Sequence, residues 1–118
     1  MEPLLAGRWR RRNSTELRMG FGEVHYGLHW DLPGNFLAQV AGRKRVVVFH
    51  PLQESRLPWQ RQEGHPNFRQ SPLWPRDVFD DPFAVSFGHV EAMQAWLEPG
   101  DVLYLPPVWF HYLSLIHI

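Results

Sequence analysis

The sequence predicts an all-β domain of short antiparallel strands. Of its 118 residues, 44% are hydrophobic and 14% aromatic, which is typical of a packed globular chain rather than a disordered one. Eleven prolines and nine glycines indicate short elements joined by many turns. Strand-like runs separated by tight turns favour a sandwich or barrel over β-α-β units, within one domain at most.

Five segments are predicted as strands. Four of them carry alternating, aromatic or β-branched residues, namely 23–31, 35–40, 45–49 and 101–105. The turns beside them are Leu32-Pro33-Gly34, Ala41-Gly42-Arg43 and Glu98-Pro99-Gly100-Asp101. The fifth segment, 91–97, has helix propensity, but the loops on either side are typical of β structure and favour a strand. The stretch 52–87 has no steady alternation and is predicted to be a long irregular excursion.

Composition excludes several classes of protein. Twelve basic and twelve acidic residues cancel, so no global field attracts this chain to nucleic acid or to an anionic membrane. The absence of cysteine excludes disulfides and thiolate metal sites, so that a metal must be held by His, Asp or Glu. No apolar run approaches the roughly 20 residues needed to span a bilayer. We therefore expect no membrane association and an intracellular location, cytoplasmic or nuclear.

The first twenty residues form a basic segment without a clear period. Their cluster of four arginines is either an arm that grips phosphates or, as we favour, a solvated terminus: Arg8, Arg10, Arg11 and Arg12. A nucleic-acid module would rest on this arm alone.

His29 and Asp31 are the strongest candidates for metal ligands. Two residues apart on a strand, they project from the same face, with Trp30 on the other. Imidazole nitrogen and carboxylate oxygen suit iron(II), and a second histidine from a distant strand would complete a facial triad with open coordination positions. The pair alone is weak evidence, because His-x-Asp is short enough to occur by chance.

The surrounding motifs carry more information. They are Tyr26-Gly27-Leu28-His29-Trp30-Asp31, Asn35-Phe36-Leu37-Ala38-Gln39-Val40, Gly42-Arg43-Lys44-Arg45, the run 99–107 and Trp109-Phe110-His111. This pattern, over about 22–112, resembles the JmjC and cupin-like oxygenases that depend on iron(II) and 2-oxoglutarate, in particular those similar to the asparaginyl hydroxylase of hypoxia-inducible factor. The resemblance implies a double-stranded β-helix (cupin or jelly-roll) core. It also implies His29, Asp31 and His111 as the metal ligands.

The resemblance further implies three residues that hold 2-oxoglutarate. The residue that matches Asn35 lies near the iron-bound end of the cosubstrate, Lys44 pairs with its far carboxylate, and Tyr26 donates a hydroxyl hydrogen bond. Lys44 suits this role, since a buried carboxylate needs a paired cation. On spacing alone, Gly-Arg-Lys-Arg is more typical of an exposed hairpin corner.

The domain of 21–112 is expected to be partial, incomplete at both ends. The last six residues, 113–118, can be back-translated into the start of a widely used transposase sequencing adapter, and we expect this tail to be non-native. The alternative is an ordinary apolar strand, which Leu113-Ser114-Leu115-Ile116 resembles.

The resemblance implies hydroxylation of a substrate, or demethylation through hydroxylation. A protein or peptide side chain is the expected substrate, with RNA as a second class, and the oligomeric state stays open. Two alternatives from other classes remain. One is a cupin-fold binding or scaffold protein without oxygenase activity. The other is a non-oxygenase cupin enzyme that uses zinc or manganese, against which Lys44 argues.

Overall fold

A computed structural model describes residues 15–57, 59, 61–71 and 90–116. The regular secondary structure of this part of the chain is almost entirely β, so the predicted fold class is confirmed. It contains six strands and one short 3-10 helix (Pro51–Arg56). The strands are β1 (Val24–His29), β2 (Asn35–Ala38), β3 (Arg43–Phe49), β4 (Ala92–Leu97), β5 (Val102–Leu105) and β6 (Phe110–Ile116).

The strands form two antiparallel sheets. The larger sheet has the order β1-β6-β3-β4, and the smaller consists of β2 and β5. Leu37 of β2 and Leu103 of β5 pack against Val46 and Leu113 of the larger sheet, so the two sheets face each other. Along the chain, β2 lies between β1 and β3 of the larger sheet, and β5 lies between β4 and β6 of the larger sheet, so that the chain crosses from one sheet to the other four times. This arrangement is consistent with a cupin or jelly-roll β-sandwich.

The segment 91–97 is a strand because it pairs with β3 along its whole length. The ladder runs from Phe49 opposite Ala92 to Lys44 opposite Leu97. Strand β3 begins at Arg43, two residues before the predicted start, because β6 continues far enough to pair with that residue. Partners in neighbouring strands thus decide where a strand ends.

Both faces of β3 are buried, which explains its unbroken apolar run. Val46 and Val47 are adjacent and point to opposite faces, yet both are completely buried. Val47 belongs to a cluster on the outer face of the larger sheet, whose buried members are Leu28, Val47, Phe49, Leu57, Val90, Phe110 and Tyr112. Val46 belongs to the second cluster, between the two sheets, with Leu97 and Leu113.

The predicted excursion is irregular where the structure describes it. It begins with the 3-10 helix, whose first turn is capped by His50: its Nδ1 accepts a hydrogen bond of 3.1 Å from the N–H of Leu52. Residues 61–71 then turn back to β1, where the N–H of Ser71 donates to the carbonyl of Leu28 at 2.8 Å. The remaining part of the excursion, from 72 onward, lies outside the described residues.

Two other sequence predictions concern the ends of the chain. The arginine arm lies within 1–14, outside the described residues. Residues 113–116 lie in β6, between β1 and β3, with the side chains of Leu113 and Ser114 buried. The codons of the gene would distinguish an adapter-derived tail from an ordinary strand. Within the part of the chain that the structure describes, no helix is long and apolar enough to cross a membrane.

Candidate metal centre

The structure brings His29, Asp31 and His111 together. His29 is the last residue of β1 and lies directly opposite His111 of β6, so the two imidazoles project from the same face of the sheet. Their ring centroids are 4.3 Å apart. Asp31 follows two residues after the end of β1. His29 and His111 are far apart along the chain, but the pairing of β1 with β6 makes them cross-strand neighbours.

The atoms that would bind a metal face one another. The Nε2 atoms of His29 and His111 each lie 3.9 Å from Oδ2 of Asp31. One ligand atom from each of the three residues lies within 4.8 Å of the others. Two imidazoles and one carboxylate on one side of a central point form the donor set of a facial triad.

Backbone carbonyls determine which nitrogen of each imidazole is available. Nδ1 of His29 lies 2.7 Å from the carbonyl oxygen of Gly27, and Nδ1 of His111 lies 2.9 Å from that of Trp109. Because a carbonyl oxygen only accepts, each Nδ1 carries the hydrogen. Each Nε2 then presents its lone pair toward Asp31. This orientation by an outer hydrogen bond is typical of histidines that bind metals.

The surroundings of His111 keep its imidazole uncharged. Its side chain is 3% exposed. Burial, together with the neighbouring imidazole of His29, lowers the pKa of His111 to about 4, against the opposing effects of the Trp109 carbonyl and Asp31. At neutral pH the imidazole of His111 is therefore uncharged, and a metal ion would not compete with a proton for it.

The triad lies at one end of the face that looks toward the smaller sheet. Cross-strand partners form three successive rows on this face: His29, His111 and Val48; Tyr26, Leu113 and Val46; Val24, Leu115 and Lys44. A bulge in β1 between Tyr26 and His29 brings both residues to this face, although they are an odd number of positions apart.

Lys44 is buried, unlike the residue of an exposed hairpin corner. It is 9% exposed and lies between Leu97 of β4 and Leu115 of β6. Burial lowers the pKa of Lys44, and the nearby positive charge of Arg18 lowers it further. Along β3, Lys44 is four residues, or about 13 Å, from the row of the two histidines.

Tyr26 and Asn35 also lie on the inner side of the sandwich. Tyr26 is half-buried and packs against the cluster between the sheets. Asn35 begins β2 opposite Leu105 and is half-buried, whereas the next residue, Phe36, is 72% exposed. Asn35 thus alternates with an outward-facing residue.

Sequence analysis assigned no role to the chain segment beside His29. Gln70 forms an antiparallel bridge with His29, and the N–H of Trp30 donates to the carbonyl of Arg69 at 3.3 Å. The segment 69–71 therefore flanks β1 on the side away from β6. Its residues lack the alternation that signals a strand, so the sequence offered no sign of this contact.

Comparison with known proteins identifies the family. The family model for the cupin-like domain matches residues 4–115 of this chain. The chain is 32% identical over 107 residues to tRNA wybutosine-synthesizing protein 5 of Gallus gallus, covering 83% of this chain and 29% of the relative. It is 34% identical over 98 residues to protein 5 of Danio rerio, covering 83% of this chain and 28% of that relative.

A second group of relatives is much longer. The chain is 33% identical over 104 residues to tRNA wybutosine-synthesizing protein 4 of Gibberella zeae, covering 88% of this chain and 9% of the relative. The chain thus spans less than a third of the length of these relatives. The family match covers nearly the whole chain and includes all three residues of the candidate metal centre. The chain therefore belongs to the cupin-like domain family.

Proposed function

We propose that the protein containing this chain is an iron(II)- and 2-oxoglutarate-dependent oxygenase that acts on RNA, with tRNA as the first substrate to test. The observation that carries this proposal is the convergence of His29, Asp31 and His111, with both Nε2 atoms turned toward one carboxylate. Two imidazoles and a carboxylate with open positions are the ligand set of non-haem iron(II) oxygenases. The donors present thus fit iron(II).

In such a site, iron(II) supplies oxidative decarboxylation of 2-oxoglutarate to succinate and carbon dioxide, coupled to hydroxylation of a substrate C–H bond. The protein supplies geometry and charge. His29 and His111 offer neutral nitrogen ligands, and Asp31 offers one negative charge. The open side of the three ligands would receive the cosubstrate and dioxygen.

Lys44 supplies a reason for 2-oxoglutarate in particular. A buried ammonium without a carboxylate partner among the described residues is costly, as its lowered pKa reflects. About 13 Å of strand separates its row from the histidine row, which leaves space for a short dicarboxylate between the two rows. Tyr26 lies in the row between them and offers a hydroxyl group. Asn35 would contact the cosubstrate from the smaller sheet.

The relatives favour RNA over a protein side chain as the substrate. The names of the matched proteins refer to synthesis of a tRNA nucleoside, and none of those given above refers to a protein substrate. The protein or peptide substrate expected from the sequence therefore finds no support in these relatives. Since the chain has no net charge, contacts with RNA would depend on local groups rather than on a global field.

The test is conversion of 2-oxoglutarate to succinate by the full-length protein in the presence of iron(II). His29→Ala and Asp31→Ala should abolish it. His25→Ala is the matched control, because His25 is exposed on the same strand and should leave turnover unchanged. Undiminished turnover in both ligand variants would refute the assignment. Addition of unmodified tRNA should increase succinate formation, whereas stimulation only by a peptide would favour a protein substrate.

Two other functions give different results in the same assay. A cupin-fold scaffold protein would neither bind iron(II) nor form succinate. A non-oxygenase cupin enzyme would bind zinc or manganese through the triad but ignore 2-oxoglutarate. The buried charge of Lys44 argues against that second alternative, because such a reaction has no evident need for it.

A further inference from the structure

We infer that Val108 is a positioning residue which, with Gly34, clamps together the loop that carries Asp31 and the loop that leads to His111. The first loop (30–34) follows β1 and contains Asp31. The second loop (106–109) precedes β6 and leads to His111. The inference rests on the proposed metal centre and assigns a role to residues that do not themselves bind a metal.

Asp31 needs such a clamp more than the histidines do. His111 has ladder partners on both sides, in β1 and β3, and His29 pairs with His111 on one side and bridges Gln70 on the other. Asp31 lies beyond the end of β1 and has no cross-strand partner among the residues that the structure describes. Its backbone is held instead by a hydrogen bond of 2.8 Å, which the N–H of Val108 donates to the carbonyl oxygen of Asp31.

Val108 makes this bond from an unfavourable backbone conformation. Its φ is 59°, in the left-handed region, which β-branched residues strongly avoid. A strained residue persists only where its surroundings hold it there, and such residues cluster at functional sites. The strain lies within three residues of His111 and next to Trp109, whose carbonyl orients the imidazole of His111.

Gly34 brings the two loops into direct contact. A Cβ atom at this position would lie 3.1 Å from Cδ of Pro107, 3.1 Å from the hydroxyl of Tyr104 and 3.3 Å from the carbonyl oxygen of Leu105. Its own φ is not in the left-handed region, so the close approach, and not the backbone conformation, is what favours glycine here. The close approach places the loop of Asp31 directly on the end of β5 and the start of the second loop.

These contacts therefore connect Asp31 to His111 through the second loop. The carbonyl of Asp31 is tied to Val108, Val108 is followed by Trp109, and the carbonyl of Trp109 holds the ring of His111. Movement of the second loop would displace Asp31 and His111 together rather than separately. The distance between these ligands is thus set in the metal-free protein, which reduces the ordering needed when a metal binds.

The test is cobalt(II) titration of the full chain, followed by the visible absorption of the bound ion and by calorimetry. Val108→Pro removes the N–H and imposes a negative φ. We expect it to weaken cobalt(II) binding at least tenfold, and Gly34→Ala to weaken it by a similar factor by forcing the loops apart. Val108→Gly keeps the N–H and accepts the conformation, and its dissociation constant should stay within about twofold of the wild-type value.

Unfolding by urea separates positioning from general stability. If the clamp positions Asp31, Gly34→Ala should change the dissociation constant of cobalt(II) in folded protein, at a urea concentration well below its unfolding midpoint. Wild-type affinity in folded Gly34→Ala or folded Val108→Pro would overturn the inference. This comparison stays decisive if one of the two variants fails to fold.

Amide hydrogen exchange tests the clamp without any metal. The N–H of Val108 should exchange slowly in the metal-free protein, since it is bound to Asp31. Rapid exchange would overturn the inference even if the proposed function holds. A wild-type chain that binds no cobalt(II) but protects this amide would instead refute the proposed metal centre and leave the clamp as a structural contact.

Discussion

Acidification should destabilise the metal-free protein through His111. The pKa of this side chain is about 4 in the folded chain, against 6.5 for an ordinary histidine. Between these values the unfolded chain binds more protons than the folded chain, so the free energy of unfolding falls as the pH falls. At 1.36 kcal/mol per pKa unit, the full loss between pH 6.5 and pH 4 is about 3 kcal/mol. Above pH 6.5 this contribution is fully present.

The assay is urea unfolding in the presence of a chelator, measured at several pH values from 7.5 to 4. The variant His111→Gln lacks the titrating group, and its free energy of unfolding should fall by about 3 kcal/mol less than that of the wild type over the same range. His25→Gln removes an exposed imidazole from β1 and is the matched control, which should follow the wild type.

Equal pH dependence in the wild type and His111→Gln would refute the reasoning. It would mean that His111 titrates in the folded chain as it does in the unfolded one, and hence that its ring is accessible to water. A dependence that differs in sign, with wild-type stability rising on acidification relative to the variant, would point to a charged His111 paired with Asp31. In either case the ligand atoms would not be presented as the structure has them.

Three further predictions concern Lys44, the core and the chain end. Arg18→Gln should raise the pKa of Lys44, because it removes a positive charge that lowers it; the measurement is NMR titration of the Lys44 side chain. Leu28→Ala should cost about 2–5 kcal/mol of unfolding free energy in urea, since Leu28 is completely buried, whereas Leu52→Ala, at an 88% exposed position, should stay within about 0.5 kcal/mol of the wild type. The gene should encode 113–118 as CTG TCT CTT ATA CAC ATC if the tail is adapter-derived, and any other codons would contradict that origin.

Most of the strands could be predicted because their turns are local. The local backbone preferences of three turns end one strand and allow the next to begin, whatever surrounds them: Pro33-Gly34, Ala41-Gly42 and Pro99-Gly100. The assignment of strands to sheets had no such local signal. It depends on which apolar faces meet. Strand β3 starts two residues before its predicted first residue, because β4 and β6 offer partners to polar residues there.

The candidate site divides in the same way. The spacing of His29 and Asp31 along one chain segment predicts that they share a face, and this needs no knowledge of the fold. The approach of His111 depends on β6 lying beside β1, a contact between strands that are far apart along the chain. Lys44 shows the limit most clearly: Gly-Arg-Lys-Arg has the composition of an exposed corner, and only its flanking strands bury it.

The sequence by itself determined the fold class, the turns and the residue types available for a metal centre, because these follow from backbone preferences and side-chain chemistry within short segments. The tertiary structure alone decided which histidines meet, that the single lysine, Lys44, is buried, and how Asp31 is held. The bulge that turns Tyr26 and His29 to the same face, and the left-handed conformation of Val108, contradict local preference. Such features exist only because contacts between distant segments outweigh the local cost.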